Sequence, residues 1–215
     1  MFEILAKLPK NMLPNCLIVF VKNPIAGNVK TRLAKSIGEQ GAVWVYERLL
    51  LHTKQLADRL AAIQKVVYYG DFVAVADLWD GYPKFMQAAG DLGLRMQGAF
   101  LEQLQAGAER VVIIGSDCAE LRPEHLQAAF DELDRVEVVL GPSADGGYYL
   151  LGMRRLHAAL FEQMPWSTPT LMAETVRVLI QQGISYTTLE VLHDLDDRDD
   201  YQRAVSLGLI PLYTE

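Results

Sequence analysis

Asp117 stands where α/β proteins usually do chemistry. It follows Val111-Val112-Ile113-Ile114-Gly115-Ser116, an apolar, mostly β-branched run that breaks at Gly-Ser and predicts a buried strand. In open α/β sheets ligands bind beyond the carboxyl ends of the strands. A lone carboxylate there is suited to holding a hard cation such as Mg²⁺ against substrate phosphates. On the residues alone, capping of the following turn is an equal reading of Asp117. A basic counterpart follows an earlier apolar run, Leu17-Ile18-Val19-Phe20-Val21, in the segment Lys22-Asn23-Pro24-Ile25-Ala26-Gly27-Asn28-Val29-Lys30-Thr31-Arg32-Leu33. Pro24 and Gly27 make this a loop, and Lys22, Lys30 and Arg32 load it with positive charge. Strand, glycine-containing basic loop and helix is an order that holds phosphates with backbone amides, a helix N-terminus and side-chain cations. The segment matches neither a Walker loop nor GxGxxG, and a solvated turn is its plain alternative.

Two further groups carry acid. Asp145-Gly146-Gly147-Tyr148 sits in a turn between apolar runs, where Asp-Gly chemistry is common but two glycines also let a ligand approach the backbone. Near the end, His193-Asp194-Leu195-Asp196-Asp197-Arg198-Asp199-Asp200 places five aspartates within seven residues. An acid-rich first helical turn accounts for two or three of them, and a metal ligand is the sharper account of the remainder. His193 reads as a loop residue, and Asp91 is placed to cap a helix. Cys16 and Cys118 are too few for a disulfide framework and have no metal-ligand spacing, so both read as packed small residues.

The positioning elements alternate. Strands are expected at residues 17–21, 65–70, 84–87, 111–114, 136–140 and 184–191. Helices are expected at 41–62, 73–79, 90–106, 123–133, 157–164 and 169–182, the last capped by Ser167 or Thr168. The Asp-Gly-Gly turn implies a hairpin-like return. The fold class is therefore α/β, a mostly parallel sheet covered on both faces with one antiparallel excursion. With 215 residues and no linker or repeat, one domain spans residues 1–215, with residues 1–15 as an N-terminal extension. That extension has Lys7 and Lys10 but no long apolar stretch, so it does not read as a signal peptide. A formal charge of −7 argues against nucleic-acid or anionic-membrane partners, and no run reaches membrane-spanning length. A cytoplasmic protein is expected, its oligomeric state open.

Several of these blocks together resemble the DUF2064 family, radical-SAM/selenodomain-associated proteins similar to glycosyltransferases. They are the basic loop of 20–33, Gly90-Asp91-Leu92-Gly93-Leu94-Arg95-Met96, Gly115-Ser116-Asp117-Cys118, Asp145 to Gly152, Trp166-Ser167-Thr168 and Asp194-Leu195-Asp196. The resemblance implies a single nucleotide-diphospho-sugar transferase (GT-A) domain. It implies a transferase using a nucleotide or nucleotide-sugar and a small-molecule acceptor, with Mg²⁺ or Mn²⁺ held by Asp117 and Asp196. Lys22, Pro24, Gly27, Lys30, Arg32 and Asp91 would serve the nucleotide, with Asp117, Lys30 and Arg32 catalytic. Asp145, Gly146, Gly147, Tyr148 and Trp166 would face donor or acceptor sugar. Glycosyl transfer is the first expectation and nucleotidyl transfer, releasing pyrophosphate, the second; a non-catalytic nucleotide-binding module is the third. The chain departs from the family pattern at Ala119, where proline is usual. It departs again at Asp196-Asp197-Arg198-Asp199-Asp200, where Asp-Thr-Pro-Glu-Asp is usual, so a less sharply fixed helix start is expected there.

Overall fold

The computed structural model describes residues 14–214. Lys7, Lys10 and the expected extension up to residue 13 lie outside the described residues, while Asn15 already belongs to the first strand. Seven strands make one sheet: β1 (Asn15–Val21), β2 (Gln64–Tyr69), β3 (Lys84–Met86), β4 (Arg110–Ile114), β5 (Val138–Pro142), β6 (Tyr148–Met153) and β7 (Tyr186–Thr188). Their order is β3-β2-β1-β4-β6-β5-β7. Every neighbouring pair is parallel except those made by β6, which runs antiparallel to β4 and to β5. The expected excursion is therefore β6, entered through the Asp145-Gly146-Gly147 turn.

Period-two alternation splits the core into two layers. Leu17 and Val19 of β1, with Val112 and Ile114 of β4, pack toward α1 (Thr31–Arg59) and α3 (Pro123–Glu132). Cys16, Ile18, Val111 and Ile113 face the other way, toward α2 (Leu92–Gln105) and α4 (Leu171–Gln182). A third apolar cluster joins α1 to α5 (Arg198–Ser206) through Leu33, Val45, Leu49, Leu195 and Tyr201. This last cluster matters for the site, because it fixes the segment before α5 against the start of α1. Among the described residues no helix is long and apolar enough to cross a membrane.

The structure corrects several local expectations. The first helix begins at Thr31, not Gly41, and breaks at Gly38 (φ 74°, ψ 164°), so its basic first turn had read as loop. Residues 73–79 form turns rather than a helix. Asp77 accepts from the Tyr69 hydroxyl (2.5 Å) and pairs with Lys84 (2.8 Å), and such side-chain bonds compete with helical ones. Residues 157–164 hold only a single 3-10 turn at Ala158–Leu160. The helix expected from Pro169 starts at Leu171, with no side-chain cap; the Thr168 hydroxyl donates instead to the Pro165 carbonyl (2.8 Å). The final strand shrinks to three residues plus an isolated bridge between Ser143 and Leu192.

Phe100 on α2 is wholly buried against the sheet, whereas Leu94 on the same helix is 50% exposed. Phe100→Ala is expected to cost roughly 3–5 kcal/mol and Leu94→Ala within about 0.5 kcal/mol, measured by urea unfolding. Equal effects would contradict the assigned packing face of α2.

Candidate functional site

The site lies at the carboxyl ends of β1 and β4, beside the start of antiparallel β6. Lys30 is the residue around which it is built. It caps α1 in the left-handed conformation (φ 46°), which turns the basic loop back over the sheet. Its side chain is 4% exposed and its Nζ lies 2.5 Å from Asp117 Oδ1 and 3.2 Å from Asp196 Oδ1. Burial alone would pull the ammonium pKa down, but the two carboxylates outweigh it and hold the pKa above the ordinary lysine value. Arg32 adds a longer contact, Nη1 to Asp196 Oδ2 at 3.8 Å, and is largely exposed, so screening leaves it little weight as a bond.

Two backbone arrangements bring acids from distant parts of the chain together. Asp117 lies three residues past the end of β4, and its carbonyl accepts from the Leu195 amide (2.9 Å), which ties the segment 194–196 to the strand end. Asp197 then caps α5 by accepting from the amides of Asp199 and Asp200, while Asp200 accepts from those of Asp196 and Asp197. This capping box starts the helix sharply without the family's usual proline. The five aspartates thus divide: Asp197 and Asp200 serve the helix start, Asp199 lies exposed in its first turn, and Asp194 and Asp196 line the cleft.

The cleft has a volume of about 740 Å³. Of the residues singled out from sequence, Lys22, Lys30, Arg32, Asp117, Asp145, Gly147, Tyr148 and Asp196 line it together. Pro24 and Gly27 belong to the loop but not to the cleft wall, and Asp91 accepts from the Leu94 amide (2.9 Å) as the cap of α2. Gly146 and Trp166 also stand behind the wall rather than in it. A Cβ on Gly146 (φ 90°) would run into the Pro169 carbonyl, and one on Gly93 would meet the Trp166 ring at 2.5 Å. Both glycines therefore permit close packing that fixes the 165–170 loop against the turn before β6 and the start of α2.

Sequence reasoning missed Tyr46 and Asp194. Tyr46, on α1, accepts from the Lys22 amide (3.0 Å) and shares a hydrogen bond with Ser116 (3.2 Å). Burial and then the Asp117 charge push its pKa up to about 12, so it stays a neutral brace between the basic loop and the end of β4. Its helical spacing held no signal of this. Asp194 was visible within the acidic run but was not separated from it. Burial, then Asp117, raise its pKa to about 7, with the nearby Ser143 hydroxyl and Lys30 acting against the rise. His193, read as a loop residue, sits beside Glu120, its ring Nδ1 at 3.4 Å. Cys16 and Cys118 are buried and free, as expected, and burial pushes both thiols up.

Among the described residues no three His, Cys, Asp or Glu side chains form a ready-made metal cage. Asp117 and Asp196 nevertheless fit a hard divalent cation. They already share one cation, the Lys30 ammonium, and their side chains remain 47% and 45% exposed toward the cleft. Mg²⁺ commonly takes one or two carboxylates and completes its shell with water and substrate phosphates.

The strand order with its reversed β6, and the cleft at the carboxyl ends, define the nucleotide-diphospho-sugar transferase class of α/β fold. The chain is 30% identical to a candidate nucleotide-diphospho-sugar transferase from Desulfovibrio desulfuricans G20, covering 86% of this chain and 84% of that one with a TM-score of 0.80. It shares the fold of CMP:2-keto-3-deoxy-manno-octonic acid synthetase complexed with CTP, at 12% identity, 90% and 98% coverage and a TM-score of 0.59. It also shares that of Rv0371c from Mycobacterium tuberculosis H37Rv complexed with manganese, at 18% identity, 89% and 98% coverage and a TM-score of 0.52. No curated protein matches the sequence. A family model described as uncharacterized protein conserved in bacteria (DUF2064) matches residues 48–168, more than half of the chain, and the chain belongs to that family.

The Asp194 environment gives a pH prediction. A carboxyl whose folded pKa is raised favours the protonated form when folded, so stability is expected to fall as pH rises from about 3.8 to about 7. Asp194→Asn should flatten that decline in urea melts of metal-free protein in EDTA. An unchanged pH slope would contradict the raised pKa of this carboxyl in the cleft wall.

Proposed function

We propose that the protein is a metal-assisted, nucleotide-dependent transferase, and that it transfers a glycosyl group from a nucleotide-sugar to a small-molecule acceptor. The observation that carries the reading is the meeting of Asp117 and Asp196 on the buried Lys30 ammonium, at the mouth of a cleft rimmed by Lys22 and Arg32. Opposed acid and base groups of this kind suit a diphosphate: the cations face its oxygens, and the acids need a positive charge between them and it. Asp117 and Asp196 would hold Mg²⁺ or Mn²⁺. When bound, the metal supplies Lewis-acid neutralisation of phosphate charge.

Lys30 keeps the two acids aligned and stays charged, because their carboxylates favour its ammonium form. Lys22 and Arg32 are free to swing onto the phosphate oxygens of the departing nucleoside diphosphate. As the acceptor hydroxyl oxygen bonds to C1 of the donor sugar and gives up its proton, the bond from C1 to the diphosphate oxygen breaks, negative charge grows on that leaving group, and preorganised cations lower the barrier there. Asp145, held by its bond from the Gly147 amide (2.9 Å), and Tyr148 form the wall on which donor or acceptor sugar would rest.

Nucleotidyl transfer is the second reading, and the fold shared with the CTP-bound synthetase favours it. The same groups would then stabilise a departing pyrophosphate. Product analysis separates the two. With a panel of nucleotide-sugars and of nucleoside triphosphates plus sugar phosphates, nucleoside diphosphate release is expected, and pyrophosphate release would establish the second reading. Asp117→Asn is expected to reduce the rate at least about 10²-fold, in line with loss of one charge-stabilising group. Turnover that neither Asp117→Asn nor Asp196→Asn affects would overturn both readings.

A further inference from the structure

The cleft has two wings. One lies over the α1 face and holds the Lys30 cluster. The other opens over the α2 and α4 face, beside Tyr148, and is floored by Met96, Ile113 and Leu151. Arg95 stands on the rim of this second wing. Among the described residues its guanidinium makes one hydrogen bond, from Nε to the Gly90 carbonyl (2.9 Å), and no ion pair. Of the four acids lining the cleft, Asp117 and Asp196 pair with Lys30, the charge of Asp194 feels Lys30 and Ser143, and Asp145 accepts from its own turn at Gly147. The Arg95 fork is thus left with unused donors in a crevice. Its position is also an uncomfortable one for a cation, in the first turn of α2, where the helix dipole is already positive. The single bond to Gly90 would position the side chain but does not neutralise it.

Resting on the transferase reading of the cleft, we propose that Arg95 is a specificity residue and that the acceptor is a sugar or similar polyol carrying an anionic group, a phosphate or a carboxylate, seated on the Arg95 guanidinium. The planar fork suits both anions, because either offers two oxygens to parallel N–H donors. The packing behind it is close. Trp166 fills the space over Gly93, two residues earlier on the same helical turn, so the fork is presented from a fixed backbone. An apolar floor beneath a charged rim would take the carbon face of a sugar and leave its anionic end at the edge.

The test is calorimetric titration of the full chain, in the presence of Mg²⁺ and a nucleoside diphosphate, with glucose 1-phosphate, glucuronate and uncharged glucose. At least one of the two anionic sugars is expected to bind ten-fold or more tighter than glucose, and which one does so distinguishes phosphate from carboxylate. Arg95→Gln should bring that sugar to within about two-fold of glucose, while Arg95→Lys should retain an intermediate preference. A separate thermal-shift measurement with Mg²⁺ and nucleoside diphosphate alone should be the same in wild type and both variants, which shows that they fold and that the nucleotide wing is intact. The proposal is overturned if wild type binds charged and uncharged sugars alike, or if Arg95→Gln keeps the anion preference. Loss of the nucleotide-dependent thermal shift in wild type would instead overturn the underlying transferase reading.

Discussion

One buried ammonium, that of Lys30, organises the candidate site of this molecule. Placing a charge at 4% exposure is unfavourable unless opposite charge and hydrogen bonds compensate it, and here two carboxylates do so. The compensation works both ways. Asp117 and Asp196 repel one another, and the ammonium between them removes that repulsion and fixes their separation. The basic loop is thereby pinned to the end of β4 and to the segment before α5, three places far apart in sequence.

The topology explains why those three places meet. β1 and β4 are neighbours at the centre of the sheet, so the loop after one and the acid after the other must emerge side by side. Insertion of antiparallel β6 next to β4 carries the Asp145-Gly147 turn to the same end. The chain then returns through β7, and the Leu195 amide docks on the Asp117 carbonyl. Leu195 and Tyr201 bury themselves against α1, so apolar packing and not the ion pairs alone holds Asp196 in reach of Lys30. The ionic cluster selects the geometry; the hydrophobic cluster beneath makes it durable.

Much of this was legible in the chain itself. Strands β1, β2 and β4 are apolar runs ending in glycine or a polar residue, and the Asp-Gly-Gly turn announced the reversal at β6. Helical residues 31–37 were hidden because Lys30 to Arg32 read as loop charge and Gly38 interrupts the period. The segments 73–79 and 157–164 carry helix-forming residues, but side-chain bonds such as Tyr69 to Asp77 and short-range turns prevail over propensity. Within the site, charge type and strand-end position pointed to Lys30, Arg32 and Asp117, and the family resemblance picked Asp196 out of the acidic run. What sequence could not supply was partnership: that Lys30 is buried between two acids, that Tyr46 bridges loop and strand, and that Asp194 stands apart from its acidic neighbours in its raised pKa.

The central claim is that Asp117 and Asp196 together offer one divalent-cation position in front of the basic loop. Titration of the full chain with Mn²⁺ in the presence of a nucleoside diphosphate, followed by electron paramagnetic resonance of the free ion, addresses it most directly. The account predicts one nucleotide-dependent Mn²⁺ per chain, lost in Asp117→Asn and also in Asp196→Asn. Retention of that ion with undiminished affinity in both variants would contradict it.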